Sequence, residues 1–394
     1  MVVSGSISLK KEKEHSIKRF HPWVFSGAIA YTSKNIKDGD WVSVYSADKK
    51  LLGFGHYQQA TISVRMLQFG AADLGKEFYL LKFKNALKLR ESLFDEESTN
   101  CYRLIHGEGD GLPGLIIDWY KGAAVVQAHS WGMHEDRFKI AEALQTLLGS
   151  CLNTVYYKSQ STLANGKADI KDEYLFGMMA QPHAVKENNH TFLIDWESGQ
   201  KTGFFLDQRD NRKMIGDYAN GKSVLNTFCY SGGFSVYALN QGASLVHSVD
   251  ASAKAIELTK RNFMANGFSA EQHACFALDT FQFFKEHQNL LYDIVILDPP
   301  AFAKHRDAKH QAIKGYTRLN AAGLQQVKSG GFLFTFSCSQ VIDHDLFLGA
   351  VTAAAIQTGR EVRVIHRLSQ PPDHPFSIYH PEGEYLKGLV LHVS

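Results

Sequence analysis

Residues 292–302 read YDIVILDPPAF. The stretch YDIVILD (292–298) is rich in Val, Ile and Leu, as expected of a strand buried within a parallel sheet. Asp298, Pro299 and Pro300 end it. Two prolines remove two backbone donors and stiffen the turn. Such a turn presents carbonyls and one carboxylate to a flat polar ligand such as a nucleobase edge. A plain turn is the alternative reading of the same three residues.

The segments on either side alternate between two periods. Upstream, KSVLNTF (222–228) and SLVHSVD (244–250) read as strands, and FSVYALNQ and AKAIELTKRNFMANG as helices, the latter ending at Gly267. Downstream, TRLNAAGLQQVKSGG reads as a helix ending in a glycine pair, and FLFTFS (332–337) as a strand. DHDLFLGAVTAAAIQTG reads as a helix, with EVRVIHRL and LKGLVLHV as late strands. Alternation of this kind builds a doubly wound α/β sheet, and its ligands belong at the carboxyl ends of the strands. Asp250, Asp298 and Cys338 each fall at such an end.

NTFCYSGGFS (226–235) follows the first of these strands and opens a helix. Gly232 and Gly233 permit a tight turn and close backbone approach to a ligand. The loop is neither GxGxxG nor a P-loop, so neither a dinucleotide nor a triphosphate is its natural ligand. Asp250 can accept hydrogen bonds from both hydroxyls of an unphosphorylated ribose. Asp279, after the third strand, can take an exocyclic amine of adenine. Helix capping is the other reading of both aspartates. The expected binding set is Asn226, Phe228, Tyr230, Ser231, Gly232, Asp250, Ala251, Asp279, Asp298 and Pro299, with Gln208 and Arg209 from KTGFFLDQR. The other reading of that last segment is a strand-to-helix join with Asp207 as the cap.

FTFSCSQ (334–340) raises a separate question. Cys338 is either a small buried filler, as free cysteines often are, or a nucleophile displayed at a strand end. The other four cysteines, 101, 151, 229 and 275, read as filler, with Cys229 lining the loop without reacting. None form a CxxC pair, so neither a metal site nor a disulfide framework is expected.

The rest of the 394-residue chain differs in grammar. Residues 1–70 look all-β, with WVSVYS, LLGFGHY and TISVRML separated by turn residues. They hold ten Lys/Arg against five Asp/Glu, a net of +5, which leaves −3 for the remainder of a chain of net charge +2. A basic small domain suits an acidic partner such as RNA; a solvated basic face is the bland reading. GKEFYLLKFKNALKLR reads as a helix. Residues 101–185 read as a mixed α+β module, including a helix with Phe138, Ala141, Leu144 and Leu148 on one face. The N-terminus lacks the apolar core of a signal peptide, and no apolar run approaches the ~20 residues that span a bilayer. A cytoplasmic protein with reduced thiols is expected.

The SGG loop, the ribose-type Asp250, DPPAF and SCS together resemble a class I S-adenosylmethionine-dependent methyltransferase. More closely, the chain is similar to the bacterial ribosomal RNA large subunit methyltransferase I family. RFHPWVFSGAI (19–29) resembles that family's N-terminal PUA signature, and GQKTGFFLDQRDNR (199–212) the lead into its methyltransferase domain. The resemblance implies three domains: a PUA-like barrel over 1–72, a central α+β module over 73–188 and a Rossmann-like methyltransferase over 189–394. It implies S-adenosylmethionine as cofactor and 5-methylcytosine in 23S ribosomal RNA as product. Cys338 would be the nucleophile and Asp298 its partner at the base. Many RNA 5-methylcytosine enzymes place a second cysteine directly after DPP; here that residue is Ala301. Lys18, Arg19 and His21, and Lys304 and Arg306 in the basic stretch after DPPAF, are the expected RNA contacts, with Trp23 and Phe25 in the core. An amino-nitrogen methyltransferase and a non-catalytic ribosome-assembly protein are the rivals, and a homodimer is left open.

Overall fold

The computed structural model describes residues 1–71, 74–163, 170–303 and 306–394. They form two units. The first comprises Met1–Val185, Ile194–Leu206 and Pro372–Gly383; the second comprises Lys186–Leu193, Asp207–Pro371 and Glu384–Ser394.

In the first unit, the all-β expectation for the N-terminus holds. Six strands form one sheet in the order Trp23–Phe25, Ile62–Phe69, Leu51–Tyr57, Trp41–Tyr45, Gly5–Leu9, Ile29–Thr32. Among the described residues no pairing joins the two end strands, so closure into a barrel is not seen. Val24, Val42, Val44, Val64 and Met66 fill its core, because alternate residues of each strand face one side. A second, five-stranded sheet runs Glu173–Phe176, Thr154–Tyr157, Ala123–Ala128, Leu115–Tyr120, Cys101–His106. Helices Phe78–Leu93 and Arg137–Leu148 pack with it into one core. Helix Arg137–Leu148 buries Ile140, Ala141, Ala143 and Leu144, whereas Phe138 is 58% exposed, with the Arg137 guanidinium 4.4 Å above its ring. The apolar face is thus rotated from the one expected. Arg90 is fully buried and binds both carboxylate oxygens of Asp110, at 2.6 and 2.7 Å. It also donates to the carbonyls of Arg103 and Asp373, which ties Pro372–Gly383 to the sheet.

The second unit is the doubly wound sheet. Its strands are β1 (Ser223–Thr227), β2 (Leu245–Asp250), β3 (His273–Ala277), β4 (Tyr292–Leu297), β5 (Val327–Ser337), β6 (Val362–Leu368) and β7 (Lys387–Val393). They lie in the order β3-β2-β1-β4-β5-β7-β6. The first five are parallel and β7 is antiparallel to both its neighbours. The helices are α1 (Arg209–Ala219), α2 (Gly233–Asn240), α3 (Ala253–Ala265), α4 (Thr280–Glu286), α5 (Lys309–Gln326) and α6 (His344–Thr358). Ser252 and Asp343 cap α3 and α6 through their side chains, and Gly359 ends α6 at φ 66°.

One expectation fails locally. α5 begins eight residues before Thr317 and stops at Gln326, so the Gly330–Gly331 pair lies inside β5. Val327 pairs with Tyr292 but Phe332 pairs with Ile294. The intervening residues bulge out, which Gly330 permits at φ 79°.

Candidate active site

Register brings the candidate residues together. Phe276, Val249, Thr227, Leu297 and Thr335 form one hydrogen-bonded row across β3, β2, β1, β4 and β5. Parallel strands therefore end on the same edge. Asp250 ends β2, Phe228 and Asp298 directly follow β1 and β4, and Cys338 follows β5.

The loop after β1 is sharply bent. Phe228, Tyr230 and Gly232 have φ of 56°, 47° and 74°. Left-handed non-glycine residues carry strain and concentrate where backbone geometry serves a ligand. At Gly232 a Cβ would lie 2.6 Å from Thr259 Cγ2. α3 braces the turn: Thr259 Oγ1 donates to the Tyr230 carbonyl at 2.9 Å and Asn262 Nδ2 to the Ser231 carbonyl at 2.8 Å. The Asp250 carboxylate accepts from the Tyr230 and Ser252 amides, so it is aimed but keeps further lone pairs. Asn226 is fully buried; its Nδ2 donates to Ser235 Oγ, while its Oδ1 lacks a hydrogen-bond partner. An orphaned carbonyl oxygen, a turn without a Cβ at Gly232 and an aimed carboxylate fit a nucleoside-bearing cofactor. Ala251 is exposed beside Asp250. Asp279 is exposed and caps α4, its Oδ1 accepting from the Phe281 and Gln282 amides. Cys229 is buried, and burial pushes its thiol pKa well above the ordinary cysteine value.

At the β4 and β5 ends, Asp298 is half-buried and its Oδ1 accepts from Gln208 Nε2 at 3.0 Å. Pro299 is buried beside it. Gln208 is itself held by Asn211 Nδ2 at 2.6 Å. Arg209 is buried and pairs with Glu187, at 3.4 Å, alongside Arg212 at 2.6 Å. Asp207 Oδ2 accepts from Tyr385 Oη at 2.7 Å.

Cys338 is half-buried. Its loop is stitched to the DPPAF loop by Ser339 Oγ, which donates to the Ala303 carbonyl at 2.8 Å. Ser337 Oγ donates to Tyr316 Oη at 2.9 Å. Burial pushes the Tyr316 phenol up to about 12, and the phenol lies within electrostatic reach of both Cys338 and Asp298. Lys387 also approaches Cys338, and burial pulls its ammonium down to about 8. Sequence reasoning missed Tyr316, Ser339 and Lys387. For Ser339 the signal was its place next to Cys338; for the other two, which come from α5 and β7, no local signal existed.

The expected RNA contacts lie in several settings. Lys18 and Arg19 are exposed, and Lys18 pairs with Glu14 at 2.6 Å. His21 is half-buried, and its Nε2 lies 3.6 Å from Glu382. Donor atoms of His21, His380 and Glu382 fall within 4.8 Å of one another. His21 Nδ1 accepts the Trp23 amide, which leaves the ring proton on the Nε2 that faces Glu382; that tautomer suits a hydrogen bond rather than a cation. Phe25, expected in the core, is 43% exposed, and Trp23 is half-buried, with its indole nitrogen donating to Glu108. Arg306 opens the turn Arg306–Ala308, and Lys304 lies outside the described residues.

Comparison with known proteins agrees with this architecture. Residues 102–389 match the family model of S-adenosylmethionine-dependent methyltransferases, and residues 7–69 that of a PUA-like domain. A ribosomal RNA large subunit methyltransferase I from Alteromonas mediterranea is 40% identical over 397 residues, covering 100% of both chains. A protein of Streptococcus mutans assigned as a SAM-dependent methyltransferase superposes at a TM-score of 0.84 with 23% identity, over 99% of this chain and 100% of that one. A further assigned methyltransferase, solved in complex with SAH, superposes at 0.86 with 23% identity, over 99% and 100% of the two chains. Among the described residues no helix is long and apolar enough to cross a membrane.

Proposed function

The chain belongs to the ribosomal RNA large subunit methyltransferase I family, and on that premise we propose that it methylates carbon 5 of a cytosine in 23S ribosomal RNA through a Cys338 thiolate adduct. The observation that carries the proposal is Cys338 at the end of β5, its loop hydrogen-bonded to the loop of Asp298.

S-adenosylmethionine supplies an electrophilic methyl group. Asp250 and Asn226 would hold its nucleoside, beside the Phe228–Gly232 turn. Carbon 5 of cytosine is a poor nucleophile. The Cys338 thiolate adds to carbon 6, the carbon 5–carbon 6 π pair shifts, and carbon 5 becomes the nucleophilic end of an enamine. Asp298 in its protonated form donates to ring nitrogen 3, where charge develops, and this contact accelerates the step as far as it strengthens in the transition state. Once carbon 5 carries the methyl group, a base removes its proton and that electron pair expels the Cys338 thiolate. With Ala301 in place of a second cysteine, no further thiol assists elimination. An amino-nitrogen methyltransferase would use the aromatic of the DPP loop against the base. Phe302 instead packs on buried Tyr316, with ring centroids 4.7 Å apart.

A cytosine paired in a stem hides its carbon 6 face, so the substrate base is unpaired or flipped out. Lys18, Arg19, His21 and the basic stretch holding Lys304 and Arg306 contribute phosphate contacts. The functional division is 1–72 for RNA binding, 73–188 as the central module and 189–394 for methyl transfer.

RNA carrying 5-fluorocytidine tests the adduct. Fluorine at carbon 5 removes the proton that elimination needs. Wild-type protein with cofactor should accumulate a covalent complex whose RNA maps to Cys338. Linkage at another residue, or no complex with an RNA that is otherwise methylated, overturns the proposal.

A further inference from the structure

The antiparallel pairing of β5 with β7 sets Lys387 opposite Ser337, one residue before Cys338. The side chain crosses toward the Cys338 loop. Its Nζ donates to the carbonyls of Ser339 and Tyr385, each at 2.6 Å. Lys387 is only 3% exposed. An ammonium rarely goes so far from water unless a partner returns part of the lost solvation. It carries three N–H donors, of which these carbonyls take two. Both contacts are neutral carbonyls, so among the described residues the positive charge has no direct hydrogen bond to a carboxylate.

We propose that Lys387 is a positioning residue that fixes the Cys338 loop and holds the Cys338 sulfur as a thiolate by placing a buried positive charge beside it. The inference rests on the reading of Cys338 as nucleophile. A cysteine anion and the lysine cation stabilise each other. Asp343 and Glu384 also face Lys387 and favour its charged form. Burial meanwhile draws Lys387 down to about 8, within reach of neutral pH. The charge it lends is therefore lost as the solution turns alkaline.

The test reads the thiolate itself. Cys338 alkylation by iodoacetamide is followed across pH by peptide mass spectrometry, so the other four cysteines are resolved separately. Lys387→Met should raise the apparent pKa of Cys338 by at least about one unit, which cuts its alkylation rate about tenfold at neutral pH. Lys387→Arg, which keeps the charge, should restore most of that loss. If Lys387→Met does not fold, Lys387→Gln removes the charge while keeping a donor for one carbonyl. An alkylation profile of Cys338 that is unchanged in the uncharged variants overturns the role of Lys387. Failure of the nucleophile reading looks different: Cys338→Ala would still make 5-methylcytidine, whatever the alkylation profiles show.

Discussion

Five cysteines of one chain sit in different environments. Cys101 and Cys229 are buried, and burial pushes Cys275 up to about 11. Cys151 is exposed but lies in the first unit, remote in sequence from the SGG and DPP loops. Cys338 combines partial exposure, a strand end and a cationic neighbour. Its position, like those of Asp250 and Asp298, was legible because strand ends of a doubly wound sheet can be read from hydrophobic runs. The roles at the two ends of the site separate by substitution. Cys338→Ala should abolish turnover while leaving cofactor affinity, measured by calorimetric titration, within about threefold. Asp250→Ala should weaken that affinity about tenfold or more, since hydrogen bonds to a charged group contribute roughly 1.5–3 kcal/mol. Equal cofactor affinities in the two variants would remove Asp250 from the binding site.

At the scale of elements, the turn between β1 and α2 does the most with the fewest residues. Gly232 has a left-handed φ of 74° and no room for a Cβ against Thr259. Gly232→Ala should cost roughly 1–3 kcal/mol in urea unfolding and weaken cofactor binding in parallel. Unchanged stability with normal binding would show that the turn is not under this constraint. The glycines of this loop were readable as a close-approach turn. The glycine pair at 330–331 was misread as a helix end, because a bulge inside β5 leaves the same local signature as a helix stop. Helix Arg137–Leu148 was placed correctly but its face was not, since Phe138 stays at the surface under Arg137. Local spacing fixes a period; the phase depends on what the helix packs against. Lys387 and Tyr316 reach the site through strand pairing and helix docking, which no short window of sequence contains.

At the scale of the molecule, the chain leaves and re-enters its first unit. Ile194–Leu206 belongs to it before β1, and Pro372–Gly383 returns to it between β6 and β7. Their return is secured by distant partners, such as Arg90 with the Asp373 carbonyl, so a linear division of the sequence could not foresee it. The surplus of basic residues in the first 70 suits a polyanionic substrate, and the strand ends of the second unit gather the residues proposed for the chemistry. The claim that unites them is 5-methylcytosine formation in ribosomal RNA through Cys338. Nucleoside mass spectrometry tests it most directly, on unmethylated 23S ribosomal RNA treated with cofactor and either wild-type protein or Cys338→Ala. The account predicts 5-methylcytidine with the wild type and none with the variant. A different methylated nucleoside, or equal product from Cys338→Ala, would contradict it.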